Sequence, residues 1–296
     1  MEFATLAQFA LSGLTTGCVY ALVAIGFVLC ANVSGIVNFA QGEYVMVGGI
    51  VTAGLVAMQV PLYAAILAAI LLGAALGFLQ ERLTVAPIRR APLFLQATVA
   101  LGVAVLIRSV ALVVWGKDPY GMSGFLGDDV FLLLGAYLPL QTIFVWGATA
   151  IFLGATFWLL KYTELGRAIR AIAINPRAAR LMGIKTGRIS MLVFIASGAS
   201  GALGGAVIAP ITSASWDAGL EFGVKGFTGA IIGGFRSPFW ATVAALGLGV
   251  LESLAAGYVS SEAKDIITYG LLLLYLMIRG GVFTFGGRAA AAADQH

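Results

Sequence analysis

The chain reads as an all-α polytopic membrane protein, for three reasons. Its residues are 60% hydrophobic and 10% charged, where a soluble domain carries about 25% charged residues. Its mean hydropathy is +1.01. Several windows reach the roughly 20 apolar residues that cross a bilayer. The 39 glycines suit close helix packing and broken helices in lipid, and the alternation of a barrel strand is absent. We expect about 8–10 membrane segments, in an inverted-repeat architecture with interrupted helices.

Spans are placed at 6–31, 44–60, 62–80, 93–115, 132–160, 189–211, 222–235, 239–257 and 265–279. The first is taken as a retained span. Glu2 stands where a signal peptide would be basic, and no clean small-residue cleavage site follows. Its cysteines, Cys18 and Cys30, lie about 18 Å apart along a helix and cannot pair. The segments 44–60 and 222–235 are short and glycine-rich, so either fits a re-entrant piece. Trp115, Trp146, Trp158 and Trp240 fall near span ends, where indoles anchor at the interface. The only histidine is His296, and the cysteines match no zinc or haem spacing. No catalytic residue and no metal site is expected.

Charge sets the orientation. Segment 81–91 carries Arg82, Arg89 and Arg90 against Glu81; 161–188 carries seven basic residues against Glu164 alone; Arg279 and Arg288 follow the last span. The other set is acidic or balanced: Glu2, then 117–129 with three acids and one base, then 262–265. The positive-inside rule puts the first set in the cytoplasm, with the N-terminus outside and the C-terminus inside. The net charge of +4 is then topology, and no nucleic-acid partner is expected.

Two polar breaks echo each other. The first span runs into NVSGIVNFAQGEYVMVGG, and the span at 189–211 runs into PITSASWDAGLEFGVKGFTGAIIGG. Each is a long span, a polar break, an aromatic and a short apolar piece ending in paired glycines. By charge the two long spans run in opposite directions, the mark of inverted repeats with broken helices at the substrate path. Repeat 1 covers about 5–160 and repeat 2 about 189–280, in one membrane domain with a tail at 281–296. Asn38, Gln41 and Glu43 should not face lipid, because buried polar groups are costly without partners. Helical spacing would put Asn38 and Gln41 on one side. Two readings stand: the break lines or gates a translocation path, together with a matching break around Glu221 and Lys225, or it is a structural knot of buried hydrogen bonds.

Segment 161–188 holds two short helix patterns. The first covers about 165–174, with Thr163 as cap. The second has Asn175 at N-cap, Pro176 at the first helical position and Gly183 just past the end. Ala178, Ala179, Leu181 and Met182 supply apolar surface, while Arg177 and Arg180 point together. A basic loop resting on anionic headgroups needs only the charge. The caps and apolar residues point to a shaped surface that docks another protein.

Three stretches carry a family resemblance: GRAIRAIAINPRAARLMGIKTGRI, GLTTGCVYALVAIGFVLCANVSGIVNFAQGEYVMVGG and LGLGVLESLAAGYVSSEAKDIITYGLLLLYLMIRGGVFTFGG. In this order they resemble permeases of the branched-chain amino acid class of ATP-binding cassette importers, specifically the smaller of two paired permeases. The chain departs from the family at its end, where RGGVFTFGG replaces a proline-containing basic stretch. The resemblance implies a bacterial inner membrane location and an assembly: a second homologous permease, two cytoplasmic ATPase subunits that bind ATP and Mg, and an extracytoplasmic substrate-binding protein. It implies a coupling role for Gly166, Arg167, Arg170, Asn175, Ala179, Gly183 and Ile184. It also implies a substrate among branched-chain or other amino acids, urea, amides or small carboxylates. The chain has no G-x-x-x-x-G-K-[ST] loop, so no cofactor and no ATPase activity is expected in it. GASGALGG (198–205) lacks the lysine and reads as close helix packing.

Two further charges lie within spans. Arg108 is seven residues from Trp115, too deep to snorkel well; an acid partner or the paired permease would accommodate it. Glu252 either pairs with Arg108 or lies near the outer headgroups. The rival function is an ion-coupled secondary transporter of small polar solutes, using Glu43. An intramembrane enzyme lacks a nucleophile–base pair.

Overall fold

The computed structural model describes residues 2–89, 91–125, 127, 129–235, 237–260 and 264–278. The tail 281–296 with Arg288 and His296, as well as Arg279, Arg90, Asp128 and Glu262, lies outside the described residues. Helices dominate: α1 (Glu2–Ser34), α2 (Gln41–Ala57), α3 (Leu62–Gln80), α4 (Ala86–Ile88), α5 (Leu93–Trp115), α6 (Gln141–Tyr162), α7 (Glu164–Ile174), α8 (Pro176–Leu181), α9 (Thr186–Thr212), α10 (Ala218–Ile232) and α11 (Pro238–Tyr258). A helix at 264–278, here α12, follows. A π-helical turn, Glu81–Val85, joins α3 to α4.

Among the described residues six helices are long and apolar enough to cross a membrane: Phe3–Ser34, Leu62–Ile88, Phe94–Trp115, Gln141–Tyr162, Thr186–Thr212 and Pro238–Tyr258. The two short glycine-rich segments become α2, of 17 residues, and α10, of 15 residues. Together with α12 these place a helix within each of the nine expected spans, as far as the described residues reach.

Depth in the bundle follows residue type. The stretch 17–30 of α1 is buried throughout, as expected of a helix apolar on every face. It packs on α9, α10 and α11. Small residues allow a close crossing, where Gly13 and Gly17 of α1 lie on the backbone of α11 around Gly249. The outer helices turn bulky side chains outward: Leu67 and Leu71 on α3, Val105 and Leu106 on α5, and Ile151 and Trp158 on α6. Such faces suit hydrocarbon, where side chains need no water but the backbone must be bonded within the helix.

One expected span is corrected. The segment 132–160 does not start as a helix. Val130–Leu133 and Ala136–Pro139 form an antiparallel hairpin, with Leu133 opposite Ala136. Its two turn residues, Leu134 and Gly135, have φ of 54° and 83°, the left-handed pair that matches strand twist in a two-residue hairpin. Gln8 of α1 ties the edge strand down by accepting from the Tyr137 amide and donating to the Tyr137 carbonyl, both at 2.8 Å. The run FLLLGAYLP is apolar enough to pass for the start of a span, and the hairpin signal in it is the glycine alone.

Candidate functional site

The first break begins where α1 ends. Ser34 Oγ donates back to the Cys30 carbonyl at 2.7 Å, and Gly35 takes a left-handed φ of 74°. The chain then turns through Asn38, whose Oδ1 accepts from the Ala40 amide at 3.2 Å and from Gln80 Nε2 at 2.7 Å. Gln80 Oε1 in turn accepts from the Tyr44 hydroxyl. The helix starts only at Gln41, so Asn38 and Gln41 do not share a helical face. Gln41 instead reaches α9: its Nε2 donates to the Ser197 carbonyl at 3.0 Å, and Ser197 Oγ donates to its Oε1. Glu43 takes a third direction, toward α5, and forms a two-point ion pair with Arg108. Asn38, Gln41 and Glu43 are 1%, 0% and 2% exposed. Their partners satisfy the buried polar atoms, as interiors demand, apart from Asn38 Nδ2, which has no partner.

The second break is at 213–217, before Glu221 and Lys225 rather than around them. Both residues lie on α10, one turn apart. Lys225 is buried at 1% exposure and gathers three carboxylates. Its Nζ is 2.6 Å from Glu221, 3.3 Å from Glu252 of α11 and 3.3 Å from Asp265 of α12. Lys264 approaches Glu221 at 3.4 Å. The Tyr20 hydroxyl donates to Glu252 Oε2 at 2.7 Å, and Thr268 donates to its other oxygen. Three carboxylates thus meet two lysines. The cluster lines a cavity of about 740 Å³ that also includes Ser12, Thr16 and Asp217. Glu252 thus pairs with Lys225, and Arg108 with Glu43.

The two interrupted helices meet at their first turns. A Cβ on Gly42 would overlap the Gly219 carbonyl, and one on Gly219 would overlap the Glu43 carboxylate. Glu43 sits in the first turn of α2, where the helix dipole favours an anion. The two polar sets stay separate, however. Among the described residues no hydrogen bond or ion pair joins Asn38, Gln41 or Glu43 to Glu221 or Lys225.

The basic segment folds as capped helices. Thr163 Oγ1 accepts from the Gly166 amide at 3.2 Å and starts α7, one residue earlier than expected. Asn175 Oδ1 accepts from the Arg177 and Ala178 amides, both at 3.0 Å, and starts α8. Gly183 follows α8 with φ of 84°, a left-handed stop that costs a residue with a Cβ about 1 kcal/mol. Ile184 N then donates to the Ala179 carbonyl at 3.0 Å. Gly166 packs on the end of α6, Arg170 donates to the Leu160 carbonyl, and Arg167 pairs weakly with Glu164 at 3.4 Å. Ala179 turns inward at 4% exposure, while Ile174, Leu181 and Met182 stand out at 86%, 89% and 82%.

Sequence reasoning missed Gln80, Ser197, Tyr20, Lys264 and Asp265. Gln80 had a signal, an amide closing an apolar run. Ser197 had none, since serine is ordinary in a small-residue helix.

A family profile described as branched-chain amino acid transport system / permease component matches residues 9–276. The high-affinity branched-chain amino acid transport system permease protein LivH of Salmonella typhimurium is 30% identical over 291 residues, covering 94% of each chain. The corresponding permease protein BraD of Pseudomonas aeruginosa is 29% identical, covering 90% of this chain and 92% of its own. Among solved structures, PsaBC from Streptococcus pneumoniae in complex with Fab matches with a TM-score of 0.50 at 12% identity, covering 91% of each chain, a likeness of fold. A match over nearly the whole length, together with interrupted helices in the expected places, shows that this chain belongs to the family of branched-chain amino acid transport system permease components.

Proposed function

We propose that this chain is one permease subunit of an ATP-binding cassette importer in a bacterial inner membrane, moving branched-chain or related amino acids by alternating access. It pairs with a second, homologous permease. Two ATPase subunits, holding ATP and Mg, dock on its basic side, and an extracytoplasmic binding protein delivers the substrate. The chain itself catalyses no hydrolysis. The observation that carries this reading is the α7–α8 surface, two capped helices presenting Ile174, Leu181 and Met182 to solvent between arginines. Three exposed apolar side chains on so polar a segment suit a surface that a partner covers.

The proposed architecture is one domain of two inverted repeats, about 5–160 and 189–280, around the coupling segment 161–188. The half-helices α2 and α10, which meet at Gly42 and Gly219, suit that arrangement. The chamber around Lys225, Glu221 and Glu252 is the proposed outer vestibule of the path. Asn38, Gln41 and Glu43 form the gate's inner frame, tying the half-helix α2 to α3, α9 and α5.

The test is co-expression with the second permease and the ATPases, followed by reconstitution in liposomes. Hydrolysis should rise with loaded binding protein, and uptake should require ATP. With Gly183→Val, hydrolysis should continue while uptake is lost, because α8 no longer seats in its socket. Normal uptake by that variant, or transport by the chain alone under an ion gradient, would overturn the reading.

A further inference from the structure

A second cavity, of about 870 Å³, lies on the basic side of the chain. It opens between the end of α1, the α7–α8 pair and the first turn of α9. Three guanidinium groups line it, those of Arg89, Arg170 and Arg180, and no carboxylate does. Arg89 gives one nitrogen to Glu81, and Arg170 gives one to the Leu160 carbonyl. A guanidinium has five N–H donors, so both keep capacity to spare. Arg180 has no ion pair among the described residues.

Two independent features point into the same space. Ser190 lines the cavity, is 3% exposed, and has no hydrogen-bond partner for its Oγ. An unsatisfied buried hydroxyl is rare in a native fold. The 27-residue helix α9 begins at Thr186, which also lines the cavity; no side chain caps it, and the Thr186 and Arg188 amides donate to the Ile184 and Lys185 carbonyls at 2.9 Å. Arg89 lies over Gly187 in that same turn.

We infer that this cleft binds a phosphate-bearing anion. Arg170 and Arg180 hold its oxygens, the first turn of α9 faces it, and Ser190 Oγ donates from the floor. Phosphate fits better than a carboxylate because several oxygens can meet converging forks at once. Two sources share this chemistry. One is the headgroup of an anionic glycerophospholipid, for which basic pockets between helices on the cytoplasmic side are suited. The other is free phosphate.

The experiment uses the full-length chain in nanodiscs of phosphatidylcholine, with or without phosphatidylglycerol, and in phosphatidylcholine with inorganic phosphate against chloride at matched ionic strength. Melting temperature is read for the native chain, Arg180→Gln and Ser190→Ala. Arg180 is exposed and Ser190→Ala is nearly isosteric, so both variants should fold, which gel filtration checks. A rise with phosphatidylglycerol alone, lost in both variants, supports the site and assigns the lipid. A rise with inorganic phosphate, lost in both, supports the site and assigns the soluble anion. No rise from either probe overturns the inference. So does a rise that survives Ser190→Ala, which would mean diffuse surface charge rather than a built pocket.

Discussion

Glu43 and Arg108 form a pair of unequal depth, and that asymmetry makes a prediction. The Glu43 side chain is 2% exposed and that of Arg108 is 24% exposed. Removing Arg108 leaves a carboxylate with no route to water, and stranding one member of a buried pair costs about 3–5 kcal/mol. Removing Glu43 leaves a guanidinium that is partly exposed rather than enclosed, so less of the lost pairing goes uncompensated. Arg108→Gln should therefore lower the melting temperature in detergent more than Glu43→Gln, and the double variant should recover part of the loss. Equal losses would remove the asymmetry, and a double variant that loses the sum of the two would mean that the charges do not rely on each other. At this scale the sequence showed which residues could not face lipid, because an amide or carboxylate in an apolar run is conspicuous. It did not show where they bond. The partners of Asn38, Gln41 and Glu43 are Gln80, Ser197 and Arg108, 42, 156 and 65 positions away, and no local pattern encodes such pairings.

Elements were legible in proportion to the strength of their punctuation. The α8 helix was readable to the residue because Asn175, Pro176 and Gly183 each satisfy a separate backbone requirement at its ends. The hairpin at 130–139 was not, because its strands are as apolar as a span and its clamp, Gln8, is on another helix. The breaks at 35–40 and 213–217 were legible as interruptions, but where helix resumes depends on the α2–α10 crossing, which is a tertiary fact. That crossing is open to a matched pair of substitutions. At Gly42 a new Cβ would overlap the Gly219 carbonyl and lie 2.6 Å from Gly223 Cα, whereas at Gly102 on α5 it would meet nothing within 4 Å. Gly42→Ala should destabilise the fold by about 1–3 kcal/mol through overpacking. Gly102→Ala should stabilise it by about 0.5–1 kcal/mol, the difference in helix propensity. Thermal unfolding of both in one detergent reads the comparison, and losses of the same sign and size would remove the crossing as a constraint.

For the whole molecule, the docking role of α7–α8 depends on which end faces the cytoplasm. Charge supplies the argument: seven basic residues against one acid at 161–188, and three acids against one base at 117–129. The fold is consistent with it, since both segments leave the bundle at opposite ends of α6 through the hairpin and α7. The two native cysteines suit a labelling test, because Cys18 and Cys30 are both buried and should give little background with a membrane-impermeant maleimide. Asp118→Cys should label in intact spheroplasts, and Arg177→Cys only after the membrane is permeabilised. Both positions are exposed, so failure to react would report sidedness rather than burial. If the pattern reverses, the α7–α8 surface faces away from ATP and no longer serves as a docking site for ATPases. The acidic chamber around Lys225 would then open to the cytoplasm, and an ion-coupled carrier would become the better account of the same helices.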